Sequence, residues 1–290
     1  MIALQTCIET ACLLEVTAPK PGNVHPSAAF ADLTYADFVK STSIVAPILS
    51  TAEHQGVAAC ILQAAQACHA QLGRNAQMGI ILLLAPLAAV PERTSLAQGI
   101  AAVLDSLTIT DSERVYEALS LVKPGGMGRV DQQDIRERPT LPLGEIMQLA
   151  ANRDTIAGEY SSGFSIVLTS GVPLLKSFRE LGQCWNEAIV RLHLTLMSQH
   201  PDTLIARKLG SRVAQQAATR AQAVLDSGWP HHPDSLAAID AFDAWLREDG
   251  HNRNPGTTAD LVCASLFAGL RDGHFGVPHN DMLDNTSHFS

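Results

Sequence analysis

N-R-N-P-G-T-T-A-D-L-V-C-A-S-L-F-A-G-L, residues 252–270, passes from a polar Pro255-Gly256 turn into an Ala/Leu/Val/Phe run with no breaker before Gly269. That pattern predicts a turn feeding directly into a helix. Gly256 lets the backbone approach a ligand or another segment closely. Thr257 and Thr258 place hydroxyls at the helix entrance, and Asp260 falls in the first turn. Two readings follow. The threonines cap the helix and Asp260 complements its dipole. Alternatively, the free N–H groups favour an anion, and the carboxylate holds a hydrated Mg²⁺ that bridges phosphates.

Composition narrows the field. The chain has 290 residues, enough for one large domain or two, and is 46% hydrophobic but only 5% aromatic, so its core is aliphatic. Ala-rich, β-branch-poor segments favour helix. The net charge of −9 and the lack of any Lys/Arg run argue against nucleic acid or an anionic membrane as partner. A phosphate site must then be built from a few local cations and backbone amides. Six cysteines lie scattered among apolar residues with no C-x-x-C pair, which predicts buried thiols in a reducing compartment. The first residues carry Glu9 and no basic region, unlike a signal peptide. The apolar segment 80–90 is too short to span a bilayer. A cytoplasmic protein is expected; self-association is left open.

Working back to the start, Leu4, Cys7, Ala11 and Leu14 recur at helical spacing. The segment P-K-P-G-N-V-H, residues 19–25, follows, with Lys20 fixed between two prolines and flanked by Glu15 and Asp32. It reads either as a surface loop with a solvated lysine or as a pre-shaped loop holding Lys20 against an anion. Thr34 is placed as a helix cap. A polar turn, residues 73–79, enters the apolar run 80–84, which predicts a central helix apolar on all sides. Thr110-Asp111-Ser112-Glu113 matches a capping box. The glycine-rich stretch 123–130 and the charged stretch 131–142 form either an active-site loop or an exposed connection. D-T-I-A-G-E-Y-S-S-G-F, residues 154–164, carries Asp154 and Glu159. D-T-L-I-A-R-K, residues 202–208, offers Asp202 as a cap, with Arg207 and Lys208 just over a turn later. No linker divides the chain. We therefore expect one all-α domain over residues 1–272 and a polar tail over 273–290.

Taken in order, P-K-P-G-N-V-H, R-N-A-Q-M-G, G-G-M-G-R-V-D, D-T-I-A-G-E-Y-S-S-G-F, D-T-L-I-A-R-K and N-P-G-T-T-A-D-L resemble the triphosphoribosyl-dephospho-CoA synthase family. The resemblance implies an all-α fold and a reaction in which ATP gives its triphosphoribosyl group to an acceptor hydroxyl and releases adenine. In the best-known members the acceptor is 3′-dephospho-CoA. Where those members carry N-T-H-K-G, this chain has Asn75-Ala76-Gln77-Met78-Gly79, and where they carry R-G-E it has Ala157-Gly158-Glu159. These forms look more like a divergent branch in archaea and methanopterin-using bacteria, which suggests a related transfer onto another cofactor precursor.

Such a reaction makes ribose C1′ oxocarbenium-like. It needs negative charge or a base there, protonation of adenine and a clamp on the triphosphate. On that chemistry Glu159 and Asp154 are the expected catalytic groups; in an unbroken helix they do not share one face, and a break at Gly158 or Gly163 would let them converge. Lys20, Arg207 and Lys208 are expected on phosphates, with Thr257 and Thr258 at their helix entrance. Asn23 and Asn75 are expected to read the nucleotide. Asp202 and Asp260 are the expected ligands of Mg²⁺ carried with ATP. Two competing classes are another N-glycosidic or phosphoribosyl enzyme, hydrolases included, and a non-catalytic nucleotide-binding helical protein.

Overall fold

The structure is a computed structural model that describes residues 2–73 and 77–278; Asn75 and the tail beyond residue 278 lie outside them. Among the described residues the chain is all-α. The helices are α1 (Leu4–Thr17), α2 (Tyr35–Leu49), α3 (Ala52–Gln55), α4 (Val57–Leu72), α5 (Met78–Ala88), α6 (Leu96–Asp105), α7 (Ile109–Val122) and α8 (Leu143–Ala150). They continue as α9 (Thr155–Ser162), a π-helical segment (Ile166–Gly171), α10 (Val172–Glu180), α11 (Trp185–Gln199), α12 (Thr203–Leu209), α13 (Ser211–Asp226), α14 (Pro233–Arg247) and α15 (Gly256–Arg271).

α15 is the hub. It packs against α1, α5, α9, α10, α11, α12 and the π-helical segment, and it is buried almost throughout from Thr257 to Leu270. A helix touched on all sides needs small or aliphatic residues all round, and residues 259–270 supply them. The other helix of this kind is α5, where every residue but Gly79 is buried. Both were legible in the sequence as apolar runs without polar faces. α11 is shared between two aliphatic cores. Ile189, Leu192 and Leu196 face the large core of α1, α2, α4, α5 and α15. Val190, Leu194 and Met197 face a smaller one built with α13 and α14.

Local signals set the helix ends. Thr34 accepts the Asp37 N–H, and the Asp37 side chain accepts the Thr34 N–H, closing a capping box on α2. The expected box at Thr110 is displaced: Thr108 caps α7 and Asp111 closes the box. Thr108 is the residue with the extended backbone a cap requires, whereas Thr110 already lies inside the helix. Gly163, at φ +67°, ends α9 in the left-handed conformation that glycine adopts without a Cβ penalty. Just past α15, Phe275 packs edge-on against Trp185 with ring centroids 5.2 Å apart. The start of the expected polar tail is therefore docked.

Candidate active site

A cavity of about 710 Å³ opens between the loop after α1, the starts of α5 and α15, α7 to α9 and α12. Asn23, Asp154, Arg207, Lys208, Thr257 and Asp260 all line it. These residues come from four separate motifs, so packing of the helices brings them together. Lys20, Glu159, Asp202 and Thr258 do not line it.

The basic wall comes from α12. Arg207 Nη1 pairs with Asp154 Oδ2, while Asp154 Oδ1 accepts the N–H groups of Ile156 (2.9 Å) and Ala157 (3.3 Å) and caps α9. Arg207 Nε is buried without a partner. Lys208 Nζ donates to the His251 carbonyl at 3.1 Å, and burial pushes its pKa down. The glycine-rich loop lies directly on this pair. A Cβ on Gly126, at φ +76°, would stand 2.9 Å from Arg207 Cβ, and one on Gly125 would stand 3.2 Å from Lys208 Cε. Glycine is favoured at Gly126, where φ is left-handed and a Cβ would crowd the Arg207 backbone. Asp134 folds the loop back by accepting from Val130 N–H (3.0 Å) and Arg136 N–H (3.0 Å). Residues 123–130 are a largely exposed connection and also line the cavity.

Another part of the lining is acidic. Lys20 is 0% exposed. Its ammonium donates to the Glu15 carbonyl and pairs with Glu15 Oε1 at 2.9 Å. Lys20 therefore does not meet the cavity as a free cation; it holds Glu15, which does line it. Asn23 Nδ2 donates to Asn254 Oδ1 at 2.7 Å, while Asn23 Oδ1 is buried without a partner. Asp260 faces the same space, and no hydrogen bond or ion pair engages its carboxyl among the described residues. It sits against α5 so closely that a Cβ on Gly79 would lie 1.9 Å from Asp260 Oδ2. Burial, and then the negative charge of Glu15, hold the Asp260 carboxyl well above the usual carboxylate range. The remaining wall is apolar, with Leu119, Leu143, Met147 and Ile156.

Three expected site residues have structural work instead. Asp202 is 1% exposed. Its Oδ1 accepts from Leu204 N–H (2.9 Å) and Ile205 N–H (3.0 Å), and its Oδ2 from Thr258 N–H and Thr258 Oγ1 (both 2.8 Å). Asp202 and Thr258 thus tie the start of α12 to the start of α15, and neither threonine caps α15 by its side chain. Glu159 is 0% exposed; its two oxygens accept from Ile166 N–H and Val167 N–H, each at 2.9 Å. Burial pushes its pKa up to about 6 against the pull of those two bonds. It seats the π-helical segment, and the helix that runs unbroken from the Asp154 cap through Glu159 sets the two on different faces. Glu15 and Asn254 were absent from the expected site. Their signal was position, since they flank the proline-glycine turns at residues 19–22 and 255–256.

Residues 1–278 match the family described as CitG: ATP:dephospho-CoA triphosphoribosyl transferase. The chain belongs to this family. It is accordingly a transferase. Among its relatives, a probable 2-(5''-triphosphoribosyl)-3'-dephosphocoenzyme-A synthase of Malonomonas rubra is 24% identical over 282 residues, covering 91% of this chain and 85% of that protein. The 2-(5''-triphosphoribosyl)-3'-dephosphocoenzyme-A synthase of Escherichia fergusonii is 25% identical over 279 residues, covering 90% and 88%. A crystal structure from Archaeoglobus fulgidus, assigned as a triphosphoribosyl-dephospho-CoA synthase, shares the fold. Its TM-score is 0.63 at 24% identity, over 82% of this chain and all of that one. Among the described residues, no helix of this CitG-family chain is long and apolar enough to cross a membrane.

Proposed function

We propose that this transferase binds ATP in the cavity and moves its triphosphoribosyl group onto a hydroxyl of dephospho-CoA, releasing adenine. The observation that carries the reading is that cationic and acidic side chains line one cavity. Arg207, with an unpartnered Nε–H, and Lys208 form a cationic face under a glycine loop. Glu15 and Asp260 bring carboxyls to the same cavity. Phosphates seat on the first, where desolvated donors are strong. Developing positive charge at ribose C1′ is stabilised by the second. The apolar wall of Leu119, Leu143, Met147 and Ile156 excludes water from the reacting centre. Asn23 Oδ1 is free to accept a hydrogen bond from a nucleotide amine or hydroxyl.

Magnesium enters this reading as part of the substrate, as the counter-ion of the triphosphate. Of the two expected ligands, Asp202 is spent on protein donors, while Asp260 lines the cavity. Both oxygens of Asp202 are engaged by four donors. No group of three or more His, Cys, Asp or Glu among the described residues could hold an ion.

The test is adenine release from MgATP, followed by chromatography, with dephospho-CoA and separately with 3′-phosphorylated CoA. Adenine forming only with dephospho-CoA, together with a product heavier by one triphosphoribosyl group, is the expected result. Arg207→Ala should raise the KM for ATP by about 10- to 100-fold, the scale of one charged hydrogen-bonded contact. No adenine with either acceptor, and no thermal shift on adding MgATP, would sink the reading.

A further inference from the structure

One buried acceptor in the cavity lacks its donor. Asn23 is 5% exposed, lines the cavity and leaves its Oδ1 without a partner. Its other amide atom is committed, since Nδ2 donates to Asn254 Oδ1 at 2.7 Å. What remains is an acceptor, and a buried acceptor is costly to leave unpaired. The backbone around it is pinned from α14, outside the cavity. Asp243 Oδ1 accepts the Gly22 N–H at 2.7 Å, and Arg247 Nη2 donates to the Asn23 carbonyl. These two side chains also hold each other, with Arg247 Nε 2.9 and 2.8 Å from the two Asp243 oxygens. The Asn23 N–H donates to the Lys20 carbonyl at 3.1 Å. Gly22, at φ +75°, is wedged so tightly that a Cβ would stand 2.8 Å from Leu246 Cδ1 and 2.9 Å from Pro255 Cδ. Every peptide group near the amide is therefore fixed, and so is the place of Oδ1. Val24, Leu33 and Phe38, which follow it in the chain, add apolar lining to the same cavity. An acceptor beside apolar lining suits a purine, which has apolar faces and a polar edge.

We propose that Asn23 Oδ1 accepts a hydrogen bond from the exocyclic 6-amino group of adenine, and that Asp243 and Arg247 are the positioning pair that holds it there. This rests on the reading that the cavity takes ATP, and it adds the atom that selects the base. A 6-oxopurine would set oxygen against oxygen and leave Asn23 Oδ1 stranded, so the site rejects it. A purine with no 6-substituent forfeits the bond without adding a clash. Asp243 and Arg247 do not line the cavity; they act through the backbone of residues 22 and 23.

The test measures binding by calorimetry on the full-length protein, with Mg²⁺ and no acceptor. The ligands are ATP, inosine triphosphate and purine riboside 5′-triphosphate, which carries hydrogen in place of the 6-amino group. Wild type should bind purine riboside triphosphate about tenfold more weakly than ATP, and inosine triphosphate about 10- to 100-fold more weakly, the scale of one lost hydrogen bond and of one mispaired group. In Asn23→Ala the three should fall within about threefold of one another. Asn23→Leu fills the same space without an acceptor and should do likewise, which covers the case that the alanine variant does not fold. Asn23→Asp keeps an acceptor in place and should retain the order of preference. Asp243→Ala should narrow the preference for ATP over inosine triphosphate by about threefold or more; a folded variant with the full preference would strike out the positioning pair. A preference for ATP that survives in both Asn23→Ala and Asn23→Leu overturns the assignment. So does discrimination against 2′-deoxyATP that those variants lose, which would put Asn23 on the ribose. A wild type that prefers inosine triphosphate overturns it too, because the amide would then present its N–H. A wild type that binds none of these nucleotides overturns the transferase reading and this assignment with it. A wild type that binds ATP and releases adenine, yet is indifferent to the 6-substituent, overturns the assignment alone.

Discussion

Asp202 and Asp260 are the same side chain in two settings at neighbouring helix starts. At the head of α12, Asp202 gathers four donors and leaves no lone-pair direction for a ligand. One turn into α15, Asp260 meets only a glycine and open cavity. Burial raises the pKa of both, but at Asp202 the bonds from Ile205 and Thr258 pull the other way. The lesson is that a buried carboxyl's role follows from its donors. A saturated acid holds structure together, and an unsatisfied one facing a cavity is available for chemistry.

The contrast can be broken most directly at Asp202. Asp202→Ala strands three backbone N–H groups and the Thr258 hydroxyl, and we expect it to cost about 4 kcal/mol in urea unfolding, several unpaired buried donors together. Asp260→Asn strands nothing and should stay within about 1 kcal/mol of wild type at neutral pH. Comparable losses would erase the distinction. Gly79→Ala comes next. Its Cβ would stand 1.9 Å from Asp260 Oδ2, an overpacking expected to cost about 1–3 kcal/mol and to depress adenine release. Adding Asp260→Ala should recover stability but not activity, and additive losses in that double-mutant cycle would show that the two do not share a seat.

The smallest effect concerns Glu159, a buried acid with one backbone donor on each oxygen. Its pKa is raised by burial from 4.5 to about 6, so its favourable contribution is complete below pH 4.5 and is lost as pH rises through 6. At about 1.4 kcal/mol per pH unit that loss comes to about 2 kcal/mol. Glu159→Gln carries no such ionisation. Its stability deficit relative to wild type should therefore narrow between pH 4.5 and 7.5, with adenine release kept within about threefold. A collapse of activity with intact folding would place Glu159 in the chemistry after all.

Much of the site was legible in particular residues. Arg207 and Lys208 follow a capped helix start, and the stretch 123–130 carries three glycines beside charge. Both proved to face the cavity, one resting on the other. Lys20 was legible as a constrained residue but not as a buried one, since prolines fix φ locally and say nothing about what packs on top. Glu159 misled because a helix segment with an acid and glycines looks the same whether it faces a cavity or a neighbouring turn.

The sequence by itself determined the all-α class, the apolar α5 and α15, the caps at Thr34 and Asp202, and the family. These rest on spacing within a few residues, where hydrogen bonds and side-chain faces repeat with the helix period. Only the tertiary structure decided which acids would be saturated and which left bare. It brought Glu15 and Asp260 to one cavity, buried Lys20 behind the first and set Gly79 beneath the second. The physical reason is that desolvation and donor supply come from helices far apart in the chain, so they are fixed by packing and not by local spacing.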